Sequence, residues 1–263
     1  MARRCISLRV LSLHAVSVYT FLYAPIVILI IFSFNRAKQT AVWEGFTLQW
    51  YRDLLHDQLI REAVINSLIV GVAATLAATV IGTLVALAMA RYRFPGKGAT
   101  GALLYLPIII PEIVFGVALM TFFGVWRWRL GLDTVILAHI TFSISYVAIV
   151  VRARLAGFDA TLEEAAMDLG AGPVGTFWRV KLPLMMPGII AGALLVFTIS
   201  IDDYVITSLV AGSSATTLPM LIYSMLKTGV TPKVNAVSTL LLLFTVLLIV
   251  TAQWVLREPA KGK

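Results

Sequence analysis

Six stretches of the chain are apolar for longer than a bilayer core is thick. They run about 11–34, 63–90, 100–124, 134–155, 187–210 and 234–256. A hydrocarbon core of about 30 Å needs roughly 20 helical residues at about 1.5 Å each. In lipid the backbone must satisfy its own hydrogen bonds, so runs of this length and continuity read as helices. Composition agrees: 60% of residues are hydrophobic and 13% charged, against roughly 25% charged in a soluble domain. The expected fold is all-α: a polytopic membrane protein with six transmembrane helices, organised as one domain over 1–263.

The first run contains Pro25, an expected kink. The second is crowded with Gly71, Ala73, Ala74, Ala77, Ala78 and Gly82, and small residues let helix backbones approach closely in lipid. Arg3, Arg4 and Arg9 precede the first run like a signal peptide, but the run is too long for one and no A-x-A-like site follows. An uncleaved first helix is expected. With that end inside, the inner segments hold 13 Lys and Arg and the outer segments 8, which places both termini in the cytoplasm. Scattered between apolar spans, these residues make no nucleic-acid surface. Trp43, Trp50 and Tyr51, in the first outer loop over 35–61, suit an interfacial belt or a short helix lying on the membrane. The single cysteine, Cys5, cannot form an internal disulfide. His14 and His56 lack a second ligand at metal spacing, so no metal site is expected.

The acids inside the spans carry the chemistry. Asp202 and Asp203 lie in the fifth run and Glu112 in the third, while no Lys or Arg stands well inside any span. A charge near the bilayer centre costs roughly 2.5–3.5 kcal/mol on insertion scales, and such residues are functional by default. An excess of acid over base suits a cation route. Taken as ideal helices, the fifth span lifts Asp202 about 22 Å above Pro187 and the third lifts Glu112 about 18 Å above Thr100. Neighbouring helical residues diverge by about 100°, so one aspartate is expected to face a pathway and the other to cap or bridge a helix. Sequence leaves open which does which. Tyr204 and Phe115 are candidate cation–π partners, although aromatics in spans ordinarily pack. An interface between two subunits is the competing role for the aspartates, and a helix break after Pro111 the competing role for Glu112. His139, Ser143, Ser145 and Tyr146 form a polar strip in the fourth span, where a helix–helix hydrogen bond is the expected use of His139. An intramembrane aspartyl protease would need two acids converging from separate helices. Adjacent acids diverge, and no G-x-G-D occurs.

One inner loop, about 158–186, is too ordered for a connector. Thr161 and Glu164 read as a capping box. A short helix follows, Gly170 and Gly172 are expected to end it with positive φ, and Pro173 opens a second short helix that ends at Leu182-Pro183. An amphipathic loop on the lipid surface would also accommodate Phe177 and Trp178. No G-x-x-x-x-G-K-[ST] is present, so the chain cannot grip a nucleotide by that device.

The spacing Glu164-Ala165-Ala166, three residues, Gly170, nine residues, then Val180-Lys181-Leu182-Pro183 resembles the EAA loop of ABC-importer permeases, with valine where that family usually has isoleucine. Phe21-Leu22-Tyr23-Ala24-Pro25, Pro111-Glu112, Glu163 to Gly170, Ser200 to Asp203 and Thr216 to Met220 extend the likeness to permease subunits of spermidine/putrescine ABC importers, over nearly the whole chain. The resemblance implies a type I importer permease fold in the bacterial inner membrane. It implies a second related permease, two cytoplasmic ATPase subunits that bind ATP and Mg, and a periplasmic binding protein delivering putrescine or spermidine. No cofactor and no catalytic residue is implied in this chain. Asp202, Asp203, Glu112 and Tyr204 would line the substrate pathway. Glu163, Glu164, Ala165, Ala166, Gly170, Leu182 and Pro183 would couple to the ATPase. An importer for an opine or another amine is the alternative within the class, and a membrane assembly factor without transport lies outside it.

Overall fold

The computed structural model describes residues 2–37, 42–157 and 161–256, with the side chains of residues 2–9 and 255–256 left aside. Lys38, Arg257, Lys261 and Lys263, which the charge-bias reading used, lie outside the described residues. So do the side chains of Arg3, Arg4, Cys5 and Arg9. The described residues are helical and contain no strand, only an isolated bridge between Asn35 and Phe46. The helices are α1 (Ala2–Phe32), α2 (Gln49–His56), α3 (Gln58–Arg91), α4 (Lys97–Ile109), α5 (Glu112–Val125), α6 (Leu132–Ala156), α7 (Thr161–Asp168), α8 (Pro173–Thr176), α9 (Leu182–Asp202), α10 (Val205–Val210), α11 (Leu218–Thr228) and α12 (Pro232–Leu256). Five segments are long and apolar enough to cross a bilayer, and the bent pair α4–α5 makes a sixth if it counts as one span.

Two of the expected spans are broken. The run over 100–124 is two helices set at 110°. Ile110 is extended, with φ −72° and ψ 134°, and Pro111 follows it. A residue before proline is pushed out of the helical region, so α4 must stop there. The 18 Å depth read for Glu112 assumed a straight helix and does not survive this bend. The run over 187–210 also breaks. Its helix begins earlier, at Leu182, and ends at Asp202, with Asp203 extended at φ −68° and ψ 125°. The rise from Pro187 to Asp202 stays helical throughout, so that estimate holds.

The chain divides into two compact units: Met1–Arg61 with Ile222–Phe244, and Glu62–Leu221 with Thr245–Lys263. In the first, α1 runs without interruption through Pro25 and exposes apolar side chains widely, Phe21 at 80%. The segment after it folds around the fully buried Asn35. The Asn35 amide donates to the Val42 carbonyl at 2.7 Å and its oxygen accepts the Glu44 N–H at 3.0 Å. The Trp50 indole donates to the Asn35 carbonyl at 2.7 Å, and the Tyr51 and Ser33 hydroxyls lie 2.7 Å apart. Trp50 and Tyr51 therefore fasten this loop, and Trp43 meets Phe32 edge-on.

Asp57 closes the same unit. It accepts the Ile60 N–H at the start of α3 and an ammonium hydrogen from Lys233 of α12 at 2.6 Å. The bond from Lys233 is the main reason its carboxyl sits below the usual value near 3.8. A carboxylate with a lowered folded pKa stabilises above its unfolded value and loses that contribution as pH falls through the folded one. Asp57→Asn is expected to cost about 0.5–1 kcal/mol at neutral pH. The gap to wild type should shrink as pH drops below 3.8, which thermal unfolding in detergent across that range will read.

In the second unit the small residues of α3 do what their size allows. A Cβ on Gly71 would stand 3.0 Å from Ile201 of α9, and one on Gly82 would stand 2.7 Å from Val147 of α6. Ala74 and Ala78 are fully buried. Val147, Val151, Met185 and Val196 join Ala78 and Ala86 in one apolar cluster. Phe123, Val135, Ala138, Phe142, Ile206 and Val210 belong to another. The second cluster sits where α5, α6 and α10 meet, and Gly116 of α5 makes that approach possible, because a Cβ there would reach 2.6 Å from Leu209.

Candidate functional site

The break between α9 and α10 is organised by Asp203. Aspartate is a poor interior helix residue and a strong N-terminal cap. Its extended backbone and carboxylate perform that role for α10, accepting the Ile206 N–H at 3.3 Å and the Thr207 N–H at 2.8 Å. The Thr207 hydroxyl donates to the same carboxylate at 2.7 Å. His139 of α6 completes the group. Its Nε2 lies 2.9 Å from the Thr207 hydroxyl and 3.3 Å from Asp203 Oδ2, and its Nδ1 lies 2.6 Å from the Ser200 hydroxyl. One arrangement satisfies every proton: Ser200 O–H to Nδ1, Nε2–H to the Thr207 oxygen, and Thr207 O–H to Asp203. His139, Ser200 and Thr207 are buried, and the Asp203 side chain is 8% exposed. His139, Ser200 and Asp203, with Phe142, Ser143, Ile199 and Ile206, line a cavity of about 10 Å³, room for about one water. A diamine cannot enter it.

Asp202, one residue earlier, faces different surroundings. It ends α9 as an exposed residue, and its carboxylate accepts from the Thr245 hydroxyl of α12 at 3.2 Å. Tyr204 is half-buried at the start of α10. Glu112 is exposed in the first turn of α5, outside the His139 cluster. The structure thus separates the two aspartates that sequence could not. Ser200 and Thr207, absent from the candidates read in sequence, are integral to the cluster. An aspartate followed by a short apolar helix was the available sign, as a helix-start signal.

The elbow also departs from expectation in detail. Residues 158–160, which precede it, lie outside the described residues. At the end of α7 the Gly170 N–H bonds to the Met167 carbonyl and the Ala171 N–H to the Ala166 carbonyl, at 2.9 and 3.0 Å. This is a Schellman ending, and Gly170 takes the left-handed conformation it needs, at φ +87°. Gly172 is not left-handed. At φ −68° and ψ 165° it is an extended N-cap before Pro173. The second helix does not stop at Leu182-Pro183 either. A π-helical turn, Phe177–Lys181, carries α8 straight into α9, with the Leu182 N–H bonded to the Phe177 carbonyl. Proline within a helix lacks an N–H and crowds the carbonyl four residues back. The widened turn before Pro183 accommodates both. Glu163 is half-buried against this turn and its carboxylate lies 2.5 Å from the Lys181 ammonium. Glu164 and Ala165 are exposed, Ala166 and Leu182 half-buried, and Pro183 exposed.

Bilayer-length helices, a span broken at a capping carboxylate, and a glycine-bent elbow running directly into that span define a polytopic membrane protein of the transport class. The model of the binding-protein-dependent transport system inner membrane component matches residues 78–257, and the chain belongs to that family. The putrescine transport system permease protein PotI of Escherichia coli is 43% identical over 231 residues, 85% of this chain and 82% of its own. The spermidine/putrescine transport system permease protein PotC of Escherichia coli is 40% identical over 246 residues, 94% of this chain and 93% of its own. Among solved structures, a bacterial ABC transporter involved in import of the acidic polysaccharide alginate superposes with a TM-score of 0.80 at 18% identity, covering 98% of each chain. The MetNI methionine ABC transporter superposes at 0.60 and 20% identity, covering 81% of this chain and 98% of its own. At those identities the solved structures speak to the fold alone, that of ABC-importer permeases.

Proposed function

We propose that this chain is the membrane-spanning permease subunit of an ATP-driven importer that moves polyamines, putrescine or spermidine, from a periplasmic binding protein into the cytoplasm. The observation that carries the substrate class is relatedness at 40–43% identity, over 85–94% of the chain, to permeases named for putrescine and spermidine. The chemistry is consistent with it. A polyamine carries two or more ammonium groups, and its passage through a low-dielectric bundle requires compensating negative charge. In this reading Asp202 meets the substrate, with Glu112 and Tyr204 further along the pathway, and Asp203 holds the break that presents Asp202. The elbow from Glu163 to Pro183 docks on a cytoplasmic ATPase. The chain works as one permease domain, paired with a related permease and two ATPase subunits that bind ATP and Mg, with both termini in the cytoplasm. It binds no cofactor and carries out no covalent chemistry of its own.

The test is co-expression with the neighbouring permease, ATPase and binding protein, followed by reconstitution into liposomes. ATP-dependent uptake of radiolabelled putrescine or spermidine is expected. Uptake of another solute with both polyamines ignored would defeat the substrate assignment. Purification without any ATPase would defeat the importer assignment.

A further inference from the structure

The elbow has the makings of a loose joint. Nothing lies within 4 Å of a Cβ placed on Gly170, Gly172 or Gly175, and Leu169 and Val174 are 89% and 70% exposed. A bend held only by its own backbone would flex under load. What crosses it is an ion pair between residues 18 apart in sequence, Lys181 Nζ to Glu163 Oε1 at 2.5 Å. Lys181 is 7% exposed, and a buried ammonium is costly unless paired. The π-helical turn contains Lys181 at its end, and such turns concentrate at functional positions. Arg91, in the last turn of α3, adds a second cation 3.6 Å from Glu163 Oε2.

We infer that Glu163 and Lys181 clamp the elbow to the base of α9, with Arg91 tying the pair to α3, so that α7, the bend and α9 move as one lever. A displacement of the elbow is then delivered to the α9–α10 break instead of being absorbed at the glycines. From Leu182 to Asp202, the arm is about 30 Å long. Lys181 acts through Glu163 and is a positioning residue, since its burial keeps it from a docked partner. The inference rests on the importer reading above, but not on which solute is carried.

The test is a double-mutant cycle in the reconstituted transporter on Glu163→Gln, Lys181→Met and the pair together. The readout is solute moved per ATP hydrolysed. Each single change is expected to lower that ratio about fivefold, and the double change to do no worse than either single. Singles that keep the wild-type ratio, or effects that multiply in the double, overturn the clamp. Should a variant fail to fold, a second measurement decides. Spin labels at Asp168→Cys and Met186→Cys, with Cys5→Ser, should keep their separation within about 2 Å between nucleotide-free and ATP-trapped states. A larger change means the bend flexes and the inference is wrong. Failure of the importer reading itself looks different: the unmutated assembly would show no ATP-driven transport at all.

Discussion

Asp203→Ala is expected to lower the thermal unfolding midpoint by roughly 6–12 °C, with Asp202→Ala shifting it little. Alanine removes the acceptor for three buried donors: two backbone N–H groups at the start of α10 and the Thr207 hydroxyl. Loss of an N-terminal cap costs about 1 kcal/mol, and a buried donor left without a partner costs about 1–3 kcal/mol. A total near 3 kcal/mol is reasonable, and in a chain of this size each kcal/mol moves the midpoint by roughly 2–4 °C. Room for about one water in the adjoining cavity limits how far solvent can compensate. His139→Leu should cost somewhat less, since it strands Ser200 and one side of Thr207 while sparing the cap. Because both changes act on one network, the double variant should be milder than the two singles added. Size-exclusion chromatography of heated, detergent-solubilised protein gives the midpoints. A midpoint for Asp203→Ala within a degree of wild type would remove the capping argument.

Much of this arrangement was legible beforehand, for reasons local to each element. Span count followed from uncharged length, and the Gly170 ending from a glycine after a short helical run. The two misread spans share one physical origin: periodicity does not report where a helix breaks when the sequence on both sides stays apolar. Ile110-Pro111 and Asp203 each stop a helix inside such a run, the first by steric exclusion before proline and the second by competing for backbone donors. Pro183 misled in the opposite direction, as a helix stop, because a π-helical turn absorbs it. The pairing of His139 with Asp203 and of Lys181 with Glu163 had no local signature. Each joins residues brought together only by tertiary packing, 64 and 18 positions apart in sequence.

Asp202→Asn is expected to reduce polyamine uptake by tenfold or more while leaving assembly and unfolding almost unchanged. Asparagine keeps the shape of aspartate and can still accept from the Thr245 hydroxyl, so the corner between α9 and α12 has little reason to move. What disappears is the negative charge. A diammonium ion passing an apolar bundle loses hydration on both ends, and a single exposed carboxylate near its path offsets part of that loss. A tenfold fall corresponds to only about 1.4 kcal/mol, modest beside the desolvation of an ammonium group. Measured beside Asp203→Asn, the pair of variants separates two jobs that adjacent residues could share. The first should fail in transport while staying folded, and the second should show its loss first in stability. Wild-type uptake by Asp202→Asn would take the substrate contact away from that residue. A stable Asp203→Asn protein that no longer transports would hand the contact to its neighbour, and with it the interpretation of the small cavity beside His139.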